Sequence, residues 1–196
     1  STIGDAILYG LIEDPNGGYV AAGFCNSWRS NFITKRNPNN GNNTFTECII
    51  GEGYESTVVD SLYMGCVSFT NAFFEDGRIT AKRMRKAITA AELELHPIER
   101  SYQKLGWQES LGASGTIKAI ALILTYSGWS QGGITLEGLE KLSGNMVDAG
   151  HIQNLDLPGL QPERAAVLPG GVAEAAGVDQ HDHRAGRRSA AAAAAA

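Results

Sequence analysis

"WQESLGASGTIKAIALIL", residues Trp107 to Leu124, sets a short glycine-bracketed turn between an apolar entry and an apolar helical pattern. Ile117, Ile120, Ala121 and Leu124 recur at helical spacing and give the following helix a buried side. Within Gly112 to Lys118 the glycines permit unusual backbone angles and close approach, while a helix start offers unpaired amides and a partial positive charge. Such a place suits phosphate. The hydroxyls of Ser114 and Thr116 can cap the helix or donate to a phosphoryl oxygen, and the two readings are not exclusive. Taken alone, the turn reads equally well as a plain strand-to-helix connection.

Outward from this turn, Thr46 to Met64 carries two β-rich runs around a Gly-Glu-Gly turn, the pattern of an antiparallel hairpin whose second run ends at Gly65. "CVSFTNAFFEDG" suits a short helix ending near Gly77, after which Thr80 can cap a long helix to about Leu105. Met84, Ile88, Ala91, Leu95, Ile98, Tyr102 and Leu105 fall on one side of that helix. Pro97 is expected to kink it. A short strand is expected near Trp107 to Leu111. Thr135 and Gly150 bracket a further helix, and a last one fits Pro162 to about Gly177, interrupted by "LPGG" at 168–171. Strands followed by crossing helices argue for an α/β layered domain.

The 196 residues, 43% hydrophobic, can bury one or two modest cores. A formal net charge of -5 gives no global attraction to nucleic acid or anionic membranes, so an anionic ligand needs a local site. Cys25, Cys48 and Cys66 lack the spacing of a zinc or redox site, and no signal peptide or long apolar span is visible, which suggests a reducing cytoplasm. The asparagine-rich stretch Lys35 to Phe45 reads as a surface loop. Lys82, Arg83, Arg85 and Lys86 read either as a solvated helix face or as a guide for a polyanion. "DQHDHR", with His181 and His183, has metal-ligand residue types but no visible scaffold and reads as a tail, and His151 reads as a surface or capping residue. The chain begins without methionine and closes on an alanine run, so both ends read as trimmed or unassigned.

Three blocks, "SLYMGCVSFTNAFFEDGRIT", "AAELELHPIERSYQKLGWQESLGASGTIKAIA" and "LDLPGLQPERAAVLPGGVA", stand in this order and together closely resemble the exopolyphosphatase/guanosine pentaphosphate phosphohydrolase family over roughly Thr46 to Ala173. The resemblance implies an α/β, ribonuclease-H-like half-domain of the actin-like ATPase superfamily, a mixed sheet with flanking helices. It divides the chain into a poorly matching segment 1–45, a second lobe 46–178 and a low-complexity tail 179–196. It implies that Gly112, Ala113, Ser114, Gly115 and Thr116 form a phosphate loop, which would explain the bare turn, with Thr46 as a further phosphate ligand. Lys118, two positions past the loop, reads by its position either as a phosphate ligand or as a solvent-facing residue. The family's other loop, Asp-Ile-Gly-Gly-Gly-Ser-Thr-Glu, meets "NGNNTFTE" here, so only Thr46 and Glu47 match. Glu47 is the implied carboxylate for a magnesium ion, Mg2+, directly or through water. No glutamate stands at the place of the family's catalytic base, and no catalytic residue is assigned. Gly170 and Gly171 read either as a plain helix-start turn or, as the resemblance implies, as keeping the start of the last helix close to the cleft, beside the nucleotide or phosphate space.

The resemblance further implies release of terminal orthophosphate from polyphosphate or guanosine pentaphosphate in the cytoplasm. The implied partners are that substrate, a first lobe missing from this chain, and a second copy in a homodimer, with neither membrane nor nucleic acid. A non-catalytic phosphate-binding or lobe-pairing module is the alternative.

Overall fold

The computed structural model describes the backbone of the elements named below and the side chains of residues 57–105, 114–131 and 133–178. Four strands, β1 (Thr2–Ile3), β2 (Ala6–Asp14), β3 (Gly18–Cys25) and β4 (Asn31–Lys35), form an antiparallel sheet in chain order. The expected asparagine-rich loop, from residue 36 onward, lies outside the described residues. The expected hairpin is present as β5 (Thr46–Glu52) and β6 (Glu55–Leu62), paired antiparallel with a register shift at Ile50/Gly51.

The helical layer follows. α1 (Cys66–Phe74) ends before Gly77, whose φ of 75° is the left-handed conformation that glycine adopts without strain. α2 (Ala81–Leu105) starts where the Thr80 hydroxyl accepts from the Arg83 amide at 3.2 Å. Its inner face buries Met84, Ala87, Ala91 and Leu95. Leu105 departs from the expected face at 43% exposure, because the last turns of α2 run beyond the core they would cover. Pro97 stands on the exposed side, and the helix continues through it to Leu105.

A strand is present as β7 (Ser110–Gly112), while residues 106–109 of the expected strand lie outside the described ones. β7 pairs in parallel with β8 (Ala191–Ala193), so the alanine run supplies strand backbone although it has no side-chain pattern. The described strands therefore pair as three separate sheets.

α3 (Gly115–Tyr126) and α4 (Leu136–Ala149) follow, the latter capped by the Thr135 hydroxyl and stopped by Gly150 at φ 71°, as the sequence predicts. α5 (Pro162–Ala165) is a short turn of helix, and α6 (Leu168–Arg184) begins with "LPGG". The predicted interruption at that motif is therefore corrected: the break falls at 166–167, and the two glycines lie inside α6. α6 also extends past the predicted end at Gly177, carrying its backbone through positions 181 and 183, whose side chains lie outside the described residues.

The small residues of α6 explain its position. A Cβ on Gly170 would lie 2.7 Å from the Thr70 amide nitrogen, and one on Gly177 would lie 2.6 Å from the Ala91 Cβ. One on Gly171 would overlap the Thr116 methyl. Glycine inside a helix costs about 1 kcal/mol relative to alanine, and here that cost is offset by close approach to α1, α2 and α3. Leu168 and Val172 are fully buried beside Met64, Phe74, Ile120, Leu142 and Met146. The core is thus centred on α6, and the start of α6 meets the starts of α1 and α3.

Candidate phosphate-binding site

The start of α3 is built by its own sequence. Ser114 has extended backbone, and its hydroxyl accepts from the Ile117 amide at 3.0 Å, while its carbonyl accepts from Lys118. The capping reading of Ser114 therefore holds. Gly115 follows, exposed in backbone but not open. A Cβ there would lie 2.6 Å from the Arg164 guanidinium carbon and from one of its nitrogens, so the planar guanidinium lies over this glycine. Arg164 comes from α5, which places a fixed positive charge at the positive end of α3. Two like-signed features in contact leave this corner suited to an anion.

Thr116 behaves differently from the expected hydroxyl ligand. Its side chain is 3% exposed, and its hydroxyl lies close enough to Cys66 to favour the thiolate there. Burial pushes the Cys66 thiol above its ordinary value, outweighing the lowering by the Thr116 hydroxyl, and the nearby Glu174 pushes the same way as burial. Lys118 is half-buried one turn into α3 and has no acidic partner among the described residues. Thr46, Glu47, Gly112 and Ala113 belong to the predicted set, but their side chains lie outside the described residues. The structure thus brings together Ser114, Gly115 and Thr116, and adds Arg164.

Arg164 was missed by sequence reasoning. It lies in "QPERAAV", inside the third of the blocks that carry the resemblance, but nothing local ties it to a turn 49 positions earlier. Gly170 and Gly171, read as keeping the last helix's start close to the cleft, lie against α1 and Thr116. The Gly170 amide donates to the Thr70 hydroxyl at 3.2 Å.

Two surface features stand apart. Asp76 accepts from Arg83 through both carboxylate oxygens, one of these bonds being 3.0 Å to Nη2, and from the Arg78 amide at 3.1 Å. Arg83 and the Arg78 amide hold the Asp76 carboxyl well below the usual carboxylate range. His151, read as a surface or capping residue, caps the short 3-10 turn at 152–154 by accepting from the Gln153 amide, and its other nitrogen lies 3.2 Å from the Asp76 carbonyl. With Arg83 engaged, Lys82, Arg85 and Lys86 line an open groove on α2 with Thr89, Ala90 and Leu93.

No described helix is long and apolar enough to cross a membrane. Among the described residues no three His, Cys, Asp or Glu side chains are grouped to hold a metal ion.

A layer of helices beside strands, with a capped helix start under an arginine, defines an α/β domain whose α3 start can face an anion. Residues 45–178 match the model of the Ppx/GppA phosphatase family, and since that stretch is more than half of the chain, the protein belongs to this family. It is 40% identical over 128 residues to a guanosine-5'-triphosphate,3'-diphosphate pyrophosphatase of Aeromonas hydrophila subsp. hydrophila, a match covering 65% of this chain and 26% of the relative. It is 42% identical over 127 residues to the protein of the same name from Aliivibrio fischeri, covering 65% and 25%. The chain thus spans about a quarter of the length of the curated relatives it matches. Among solved structures, the Aquifex aeolicus PPX-GPPA enzyme superposes with a TM-score of 0.60 at 18% identity, over 78% of this chain and 50% of that one. An exopolyphosphatase from Cytophaga hutchinsonii superposes at 0.57 with 16% identity, over 78% and 50%. The fold is that of these structures.

Proposed function

We propose that this chain is the phosphate-holding second lobe of a phosphoanhydride hydrolase that releases terminal orthophosphate from guanosine pentaphosphate. The single observation that carries the reading is the Arg164 guanidinium laid over Gly115 at the capped start of α3. The name shared by its relatives favours the guanosine nucleotide over inorganic polyphosphate as substrate. Exopolyphosphatase action is retained as a second reading because one structural neighbour carries that name.

In this reading the amides at the start of α3 and the Arg164 guanidinium take the charge of a terminal phosphoryl group while water attacks it. Positioning and charge neutralisation dominate such a transfer, so a lobe that supplies donors can contribute without a covalent step. Lys118 and the Thr46 hydroxyl are the further candidate donors, and Thr116 contributes through its main chain. The first lobe would supply the base that activates water. The lobe would be one ribonuclease-H-like half of an actin-like ATPase arrangement, its strands drawn into a mixed sheet, and the whole protein a cytoplasmic homodimer.

Magnesium is the implied cofactor, with Glu47 as its candidate ligand. The described residues offer it no cluster of carboxylates.

The reading is tested by titrating the chain with tripolyphosphate in a calorimeter and by assaying phosphate release from guanosine pentaphosphate. Saturable heat that Arg164→Ala weakens by about tenfold or more supports the site, since a hydrogen-bonded charge pair contributes about 1.5–3 kcal/mol. Heat without phosphate release supports the holding role alone. No heat with wild-type chain refutes the reading.

A further inference from the structure

Thr116 is the second residue of α3, inside the turn where a phosphate-binding hydroxyl is expected, yet its side chain is almost wholly buried. It touches two other helices at once. Its hydroxyl lies near Cys66, the first residue of α1. Its methyl occupies the space that a Cβ on Gly171 of α6 would need, and the Cys66 Cβ lies 3.4 Å from that same point. Any side chain at 171 would displace the Thr116 methyl, and with it the first turn of α3.

We infer that Thr116 is the anchor of the phosphate-binding turn rather than one of its ligands, and that Cys66 and Gly171 are positioning residues acting through it. The inference rests on the phosphate reading of this turn and refines it. A hydroxyl that faces the protein interior cannot also point outward at a phosphoryl oxygen, because one rotamer serves one side of the helix. What remains for the anion is the main chain of α3 and Arg164. In this arrangement the Cys66 sulfur takes the hydrogen of the buried hydroxyl, which would otherwise lack a partner. The three helix starts are thereby tied at one side chain, and the first turn of α3 is held by α1 and α6 rather than by its own cap alone.

The test uses the 196-residue chain and two readouts: amide hydrogen exchange over residues 114–118 with α4 as internal control, and affinity for tripolyphosphate. Thr116→Val keeps the shape and removes the hydroxyl, and Cys66→Ala removes its acceptor. Each should speed exchange at the α3 start by roughly threefold to tenfold, the range of one lost hydrogen bond, and leave α4 unchanged. The double variant should be no faster than the faster single one, because the two changes remove the same bond. Cys66→Ser, which restores an acceptor, should recover most of the effect.

Wild-type exchange in both single variants, or additive effects in the double variant, would overturn the anchor. So would a loss of tripolyphosphate affinity in Thr116→Val that Cys66→Ala does not share, which is the signature of a direct ligand. Absence of tripolyphosphate binding by the wild-type chain would refute the phosphate reading, and the exchange arm would still decide the anchor by itself.

Discussion

Two junctions hold the helical layer, and they are built from opposite materials. At the proposed phosphate-binding end, α1, α3 and α6 meet through missing side chains: Gly170 lies against the Thr70 amide and Gly171 against the Thr116 methyl. At the other, the turn between α1 and α2 is clasped to the end of α4 by polar groups. There Asp76 binds Arg83 and the Arg78 amide, Ile79 donates to the Gly150 carbonyl at 2.9 Å, and Ile152 donates to the Gly77 carbonyl at 2.8 Å. The first junction is buried, and its strength comes from shape. The second is exposed to water, so its ion pair contributes little and responds to pH and salt. Substitution of volume should therefore damage the first, and titration should touch only the second.

The largest expected effect follows from Gly170. A methyl group there would meet the backbone of α1, at 2.7 Å from the Thr70 nitrogen, and backbone cannot rotate away as a side chain can. Gly170→Ala should destabilise the chain by about 3 kcal/mol, at the upper end of overpacking costs. Urea unfolding measures it. A loss below about 1 kcal/mol would mean that α6 can shift outward, and the shape-based account of this junction would fail.

The same glycine shows where the sequence could be read and where it could not. Thr80, Thr135 and Gly150 were legible as helix boundaries because a cap is local chemistry within one turn. The spacing of Met84, Ala91 and Leu95 likewise announced the buried face of α2. "LPGG" was misread as an interruption because paired glycines break helices by local propensity, whereas tertiary contact here requires them. The partner of Gly170 is Thr70, 100 positions away, and no local pattern reports it. Arg164 was invisible for the same reason. The hydroxyl of Thr116 could be assigned to cap or phosphate from sequence, but its turn toward Cys66 depends on how α1 packs.

Gly77 is the polar junction's counterpart to Gly170 and should cost less. Its φ of 75° disfavours any Cβ, and a methyl would come within 2.7 Å of the His151 ring. The obstacle is a side chain that can swing aside after losing two hydrogen bonds. Gly77→Ala should therefore cost about 2 kcal/mol, mostly backbone strain, and urea unfolding should rank it below Gly170→Ala. The reverse ranking would show that the polar clasp is the more rigid of the two.

Caps sharpen the comparison further. Ser114→Ala and Thr135→Ala each remove a hydroxyl that accepts one amide of a first turn. Each should cost about 1 kcal/mol in stability. They should differ in function: only the first lies at the anion corner, so only Ser114→Ala should also weaken tripolyphosphate binding. Equal loss of binding in both would mean that the effect is global loosening rather than the local frame of α3.

The smallest effect belongs to Asp76, and its sign follows from its partners. Arg83 and the Arg78 amide stabilise the charged carboxylate, so its folded value lies below the ordinary unfolded value of about 4. A depressed acid contributes stability that is fully present above the unfolded value and is lost as pH falls through the folded one. Because the group is exposed, solvent screening keeps that contribution small. Asp76→Asn should lower the melting temperature slightly at pH 7, and the gap to wild type should close as pH falls below about 4. Added salt should narrow it as well. Gly170→Ala, measured alongside, should keep its deficit over the whole range, because overlap of a methyl with backbone has no proton to lose. A gap for Asp76→Asn that stayed constant down to pH 2 would assign the clasp to hydrogen-bond geometry instead of charge, and the division between a junction of shape and a junction of charge would no longer hold.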